Sequence, residues 1–94
     1  MKREIYERIA LTLKQWGCPV LTGWKALARC AVVAAQHEEW GEKWNATGVC
    51  QEVAVLWGKT QATVWADMAY TLRSSNARLT PAAAIAQLVK VVRE

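Results

Sequence analysis

The chain has 94 residues, of which 53% are hydrophobic, so it can form one domain with a core and is too apolar to be disordered. Its net charge of +4 suits an anionic partner without establishing one. The N-terminus is charged and lacks a signal-peptide core, and no apolar run reaches the ~18 residues of a membrane span. We therefore expect a cytoplasmic protein that does not enter a membrane.

The cysteine and histidine content argues against metal and catalytic sites. Cys18, Cys30 and Cys50 are far apart in the sequence, and His37 is the single histidine. Structural zinc sites need ligand pairs at closer spacing, and a Ser/His/Asp triad needs a histidine with suitable partners. We expect reduced thiols in the core, no metal or cofactor, and no enzymatic activity.

The first part of the sequence predicts two helices. The first begins near residue 2 or 3 and carries one apolar face, formed by Ile5, Ile9, Leu13 and Trp16. Residues 17–19 end this helix, residues 20–21 form a short extended link, and Thr22 is expected to cap the next helix. The second helix, residues 23–39, has a broad apolar surface rich in small residues, which predicts a central helix that others cover. Gly41 terminates it.

Two further helices meet at a short turn. Residues 42–46 lead to Thr47, the expected cap of a third helix whose apolar stripe is Val49, Val53, Leu56 and Trp57. Gly58 follows directly, and glycine takes the left-handed conformation at a helix end without a Cβ penalty. Thr60 is a good N-cap for a fourth helix over residues 61–73, with the stripe Val64, Met68 and Leu72. This layout predicts a helix-turn-helix.

The rest of the chain predicts one more helix. A polar connector covers residues 74–79, and Thr80-Pro81 then supplies an N-cap and a proline at the first helical position. The buried face of this helix is expected to be Ile85, Leu88, Val89 and Val92. The sequence therefore predicts one all-α domain over residues 1–94, a compact bundle of about five helices that contains the helix-turn-helix.

Aromatic residues are the next candidates for core or contact positions. Most of the tryptophans are expected in the core or at its rim: Trp16, Trp24, Trp40, Trp44 and Trp57. Trp65 and Tyr70 lie on either side of the apolar stripe of the fourth helix. If exposed, they would stack on a nucleic acid or fill a pocket of a partner; otherwise they fold back into the core.

Cationic residues bracket the fourth helix. Lys59, Thr60 and Gln61 stand at its N-terminus, where free N–H groups and the helix dipole favour an anion such as a phosphate. The alternative is an ordinary cap with a solvated lysine. Arg73 and Arg78 either flank a DNA backbone or form a cationic helix end followed by an exposed loop.

Two runs of this sequence resemble a known family. They are LKQWGCPVLTGWKALARCAVVAAQ, residues 13–36, and VCQEVAVLWGKTQATVWADMAYTLRSS, residues 49–75. They resemble the C-terminal effector domain of the stage-zero sporulation response regulator. In that family a Gly-x-Pro loop precedes a capped helix that opens on glycine and an aromatic residue, matched here by Gly17, Pro19, Gly23 and Trp24. The helix-turn-helix positions are matched by Ala54, Gly58, Thr60 and Val64, and the resemblance covers about residues 9–92.

The resemblance implies a DNA-binding transcription regulator of sporulation that acts as a dimer on paired sites, here without the phosphorylated receiver domain of that family. The family presents arginines and a histidine to the DNA groove, and the matching positions here hold Thr63, Ala66, Ala69 and Tyr70. None of these side chains can make the bidentate arginine contact with guanine. We therefore expect binding mostly through the DNA backbone.

Two functions remain open. In the first, the chain binds duplex DNA through Lys59, Thr60, Gln61, Thr63, Ala66, Ala69, Tyr70, Arg73 and Arg78. In the second, the exposed side of the fourth helix, with Trp65 and Tyr70, binds a protein partner or a second copy of the chain. The helix-turn-helix pattern and the positive charge favour the first, and the small side chains at the groove positions favour the second.

Overall fold

Five α-helices form the computed structural model, which describes residues 3–19 and 22–94. They are α1 (Arg3–Gln15), α2 (Thr22–Glu39), α3 (Ala46–Trp57), α4 (Gln61–Arg73) and α5 (Pro81–Arg93). These described residues contain no β-strand. The predicted all-α bundle of five helices is confirmed. The link expected at residues 20–21 and a helix start at residue 2 lie outside the described residues.

The helix α2 is the central element, because it packs against each of the other four helices. Eight of its 18 residues are buried, and six of those eight are alanine or cysteine. Small side chains let the neighbouring helices approach closely, and those helices supply the larger core residues. These include Ile9, Leu13, Val53, Met68, Leu72, Ile85 and Leu88. The prediction of a central, well-covered second helix is confirmed.

Threonine side chains cap α4 and α5 as predicted. The hydroxyl oxygens of Thr60 and Thr80 each accept a hydrogen bond at 3.2 Å from the backbone N–H three residues later. Each bond satisfies one of the N–H groups that a helix start leaves without a partner. The structure describes α2 from Thr22 onward, and residues 20–21 lie outside the described residues, so the cap expected at Thr22 stays a prediction.

The start of α3 differs from the prediction. Asn45, not Thr47, is the N-cap: its side-chain oxygen accepts a hydrogen bond at 2.7 Å from the N–H of Gly48. Asparagine is among the strongest N-cap residues, and it comes two positions earlier, so the helix has already begun when the chain reaches Thr47. The prediction of Thr47 as the cap is wrong.

Two apolar residues expected in or beside the core are exposed. Leu56 is 63% exposed, because it lies about 90° around the helix from the centre of the buried face of α3, which is formed by Ala46, Val49, Cys50, Val53 and Ala54. Trp40 is 62% exposed, because it follows the last residue of α2 and the chain turns at Gly41, where φ is 74°. The other tryptophans predicted at the core or its rim pack against it: Trp16, Trp24, Trp44 and Trp57.

The three cysteines are buried and unpaired. Burial raises the pKa of the Cys18 and Cys50 thiols, and it raises the pKa of Cys30 to about 12. The thiols therefore stay protonated near neutral pH and act as small core residues, as predicted. In the part of the chain that the structure describes, no three His, Cys, Asp or Glu side chains are grouped to hold a metal ion.

A polar cluster fastens the C-terminal end of α2 to the connector and to α3. His37 Nδ1 lies 2.8 Å from a carboxylate oxygen of Glu42, and His37 Nε2 lies 2.7 Å from one of Glu52. The hydrogen bond to Glu42 raises the pKa of His37 most, and the hydrogen bond to Glu52 raises it further, because both stabilise the imidazolium. Beside it, the indole N–H of Trp44 donates to Glu38 at 2.8 Å, which lowers the pKa of that carboxyl.

Candidate nucleic-acid interface

A three-residue turn, residues 58–60, joins α3 to α4. Gly58 has φ 65° and ψ 33°, the left-handed conformation, and a Cβ there would meet nothing within 4 Å beyond its chain neighbours. The N–H groups of Gly58 and Lys59 donate to the carbonyls of Val55 at 3.2 Å and Ala54 at 2.9 Å, which closes the last turn of α3. The predicted left-handed conformation at Gly58 is confirmed, and the turn joins the two helices through only three residues.

One side of α4 is held tightly against the core. The predicted stripe of Val64, Met68 and Leu72 is buried. The helix α2 crosses α4 so closely that a Cβ on Gly23 would overlap the Thr71 hydroxyl and the carbonyl oxygen of Asp67. Thr71 is fully buried, and its hydroxyl oxygen has no hydrogen-bond partner among the described residues. Contact between helices at this distance fixes the position of α4.

The opposite side of α4 faces solvent. Thr63 and Ala66 are exposed, Tyr70 is 61% exposed and Ala69 is partly exposed. The spacing of three and four residues places them on one stripe of the helix. We call these four residues the exposed stripe of α4. The structure brings together the residues that the sequence assigns to the DNA groove, and their side chains are small except for Tyr70.

Cationic residues stand at both ends of the exposed stripe. Lys59 precedes α4 beside Thr60 and Gln61, where the first N–H groups of a helix have no partner within it. Arg73 is the last residue of α4. Both cations are exposed, and neither lies within ion-pair distance of a carboxylate in residues 3–19 and 22–94. The ends of the stripe therefore carry uncompensated positive charge.

Arg78 lies in the connector that follows α4, not in the helix itself. It is exposed in the connector between α4 and α5, with φ 52°, the one positive φ outside glycine among the described residues. The connector is held to the end of α1, because the N–H of Asn76 donates to the carbonyl of Trp16 at 2.8 Å. Arg78 is thus an exposed cation of the connector, and its contact with DNA stays a prediction.

The two aromatic residues of α4 have different surroundings. Trp65 is partly buried and packs against the core, so the interpretation that it folds back applies to Trp65. Tyr70 is exposed, so the interpretation as a contact residue remains for Tyr70 alone. The aromatic surface that α4 offers to a ligand is one phenol ring.

Two features beside this face were not expected from the sequence. Val55 is 70% exposed and adjoins the exposed Leu56, so the last turn of α3 carries an apolar patch next to the turn. Around Trp57, the cations Lys25 and Arg29 line one pocket with the ring of Tyr6. The spacing of polar residues along α2 does not predict that its cations lie beside Trp57 and Tyr6. That proximity depends on how α1, α2 and α3 pack.

No protein-family model, curated protein or solved structure matches the chain. Within residues 3–19 and 22–94, none of the helices combines the length and the apolar character that crossing a membrane requires.

Proposed function

We propose that the chain is a DNA-binding transcription regulator that binds duplex DNA through a helix-turn-helix formed by α3, the turn at residues 58–60, and α4. One observation carries this proposal: the exposed stripe of α4 ends in the unpaired cations Lys59 and Arg73. A helix placed in the major groove has phosphates of the two strands near its ends. The resemblance to the sporulation regulator effector domain supports the same proposal.

Backbone contacts dominate the proposed binding. Thr63, Ala66 and Ala69 present methyl groups, and Tyr70 presents a hydroxyl, so the stripe has no donor pair for guanine. Methyl contacts with thymine give at most a weak preference for A·T pairs. The phosphate contacts of Lys59, Arg73 and the α4 N-terminus position the protein without reading sequence.

Titration against a random-sequence duplex at about 50 mM salt tests the proposal, because electrostatic binding is strongest at low salt. We expect a Kd tighter than about 0.1 mM, which weakens steeply as salt is added, since each phosphate contact releases a counterion. Lys59→Glu and Arg73→Glu should each weaken binding to every duplex alike and flatten the salt dependence by about one contact.

Lys90→Glu is the matched control. Lys90 is an exposed lysine of α5, so this substitution makes the same change in net charge. The C-terminal end of α5 lies beside Glu38, through its ion pair with Arg93 at 3.0 Å. Glu38 is about 22 Å along α2 from Gly23, where α4 packs. Equal weakening by Lys59→Glu and Lys90→Glu would show a general charge effect, and a Kd weaker than about 0.1 mM at low salt would exclude the backbone-contact mechanism.

A second candidate function is self-association or protein binding through the same region. The observation that favours it is the exposed apolar surface of Val55, Leu56 and Tyr70. Exposed apolar patches of this kind mark protein contacts when they are contiguous. Sedimentation equilibrium of the protein and of Leu56→Glu tests it: a dimer that this substitution dissociates, in protein that fails to bind duplex, would establish the second function in place of the first.

A further inference from the structure

An open pocket of about 310 Å³ lies on the surface of α2, between α1 and α3. Its lining residues are Tyr6, Lys25, Arg29 and Trp57. Trp57 is the last residue of α3, directly before the turn, so the pocket borders the helix-turn-helix but does not include the exposed stripe of α4. We call these four residues the Trp57 pocket.

The Trp57 pocket carries positive charge without a compensating carboxylate. Lys25 is exposed and Arg29 partly buried, and neither forms an ion pair within the described residues. Lys59 adds a third cation, because its Nζ lies 5.7 Å from the centre of the Trp57 ring. Cations gathered on one surface repel one another and attract an anion. The charge of the pocket therefore points to an anionic ligand.

The aromatic walls of the Trp57 pocket narrow the class of that ligand. Tyr6 and Trp57 come from different helices and both remain in contact with solvent. Aromatic rings of this kind stack on planar heterocycles and on nucleic-acid bases. A volume near 310 Å³ lies at the lower end of the roughly 300–1,000 Å³ range of small-molecule sites, which suits a mononucleotide.

We propose that the Trp57 pocket binds a nucleoside monophosphate or a ligand of the same class, with one phosphate and one planar ring. The guanidinium of Arg29 matches the geometry of two phosphate oxygens, and Lys25 adds a point charge. The base stacks on Trp57 or Tyr6. Lys59 belongs to the turn of the helix-turn-helix and borders this pocket. This site does not rest on the proposed DNA binding, because it uses none of the exposed stripe.

Titration with adenosine monophosphate at low salt, followed by the indole N–H resonances, tests the proposal. Trp57→Phe identifies the resonance of Trp57 among the six tryptophans. We expect that resonance to shift and saturate with a Kd below about 1 mM. Adenosine and inorganic phosphate each carry one half of the ligand, so each should bind roughly tenfold more weakly.

Paired variants locate the site. Lys25→Gln and Arg29→Gln should each weaken adenosine monophosphate binding by about tenfold, since each removes a charged phosphate contact. Lys90→Gln, an exposed lysine on α5, should leave it unchanged. The indole resonances of Trp16 and Trp44, outside the pocket, report whether each variant is folded.

The outcomes separate this proposal from the DNA proposal. Absence of a saturating shift at roughly 10 mM nucleotide, tenfold above the expected Kd, would overturn the pocket, as would equal binding by Lys25→Gln and Lys90→Gln. If duplex DNA binds but the nucleotide does not, the pocket proposal is wrong, and weaker duplex binding by Lys25→Gln then assigns that cation to the DNA backbone. If the nucleotide binds and duplex DNA does not, the pocket stands and the DNA proposal fails.

Discussion

The two ends of α2 are attached to the protein by opposite means. At the N-terminal end, Gly23 has no side chain and α4 lies directly against it. At the C-terminal end, His37 and Glu38 are held by hydrogen bonds and ion pairs that solvent reaches. A steric contact is insensitive to pH and salt, whereas an ion pair responds to both. The position of α4, and with it the candidate interface, therefore depends on the absence of a side chain at Gly23. The attachment of α2 to the connector and to the middle of α3 depends on the protonation state of His37.

The largest effect is expected for Gly23→Ala. The new methyl group would overlap backbone and side-chain atoms of α4, so the helices must separate, at a cost of about 3 kcal/mol in the free energy of unfolding. Gly48→Ala is the matched control, because Gly48 lies in the first turn of α3 and a Cβ there would approach only the side chain of Asn45, nearest at Oδ1, 3.3 Å away. We expect it to change stability by less than about 1 kcal/mol. Urea denaturation measures both, and similar losses would contradict the close crossing.

Substitutions at Gly58 test backbone strain by itself, because a side chain at this position has space. A Cβ there meets open space, but φ is 65°, which a β-branched residue tolerates poorly. Gly58→Val should destabilise by about 2 kcal/mol, and Gly58→Asn by about 1 kcal/mol or less, because asparagine adopts the left-handed region more readily. Urea denaturation of the two variants checks this order. Equal losses would mean that something other than the dihedral angle limits residue 58.

A pH dependence is expected at the opposite end of α2. Because the pKa of His37 is raised above 6.5, its stabilising contacts are fully present below that pH and are lost as pH rises through the higher folded-state pKa. The difference in Tm between the protein and His37→Gln should therefore shrink from about pH 6 to about pH 9. His37 is the single histidine, and the other titrating groups, including the cysteines, are common to the two proteins, so the difference reports on His37. A difference that grows with pH would show that the imidazolium is not the stabilising form.

The smallest effect is expected for Arg93→Gln, which removes the ion pair with Glu38 at 3.0 Å. Both side chains are substantially exposed, at 48% and 37%, so solvent and salt screen their attraction. Thermal unfolding should show a slight loss of Tm at low salt that disappears at about 0.5 M NaCl, where the screening length is only a few ångström. A loss that persists at high salt would instead come from packing of the aliphatic part of Arg93.

Sequence reasoning succeeded where the deciding atoms lie within one helical turn. The turn at Gly58 and the caps at Thr60 and Thr80 follow from local backbone chemistry, and each is present as predicted. The predicted start of α3 was wrong, because Asn45 and Thr47 are both good N-cap residues and local sequence does not decide which of them caps the helix. The exposed stripe of α4 was predicted correctly because its buried stripe was, since the exposed face of an amphipathic helix lies opposite its buried face.

Contacts between distant parts of the chain could not be predicted in this way. The sequence shows a glycine at position 23, but nothing near it indicates that α4 lies against that glycine. The meeting of Lys25 and Arg29 with Trp57 likewise depends on how three helices pack. Leu56 and Trp57 are neighbours with similar hydrophobicity, and periodicity did not decide which of them faces the core. The small residues of the exposed stripe suit a DNA groove and a protein surface equally, so helical periodicity does not choose between the two functions.

The buried thiols give the protein three native reporters of local opening. Only a thiolate reacts with an alkylating reagent, so each cysteine reacts when its surroundings open and its pKa returns to the ordinary range. Cys30 lies within the central helix, whereas the Cys50 thiol donates to the carbonyl of Gln61, the first residue of α4, at 3.5 Å. The ratio of their alkylation rates therefore measures whether α4 detaches from α3 on its own or only together with the core.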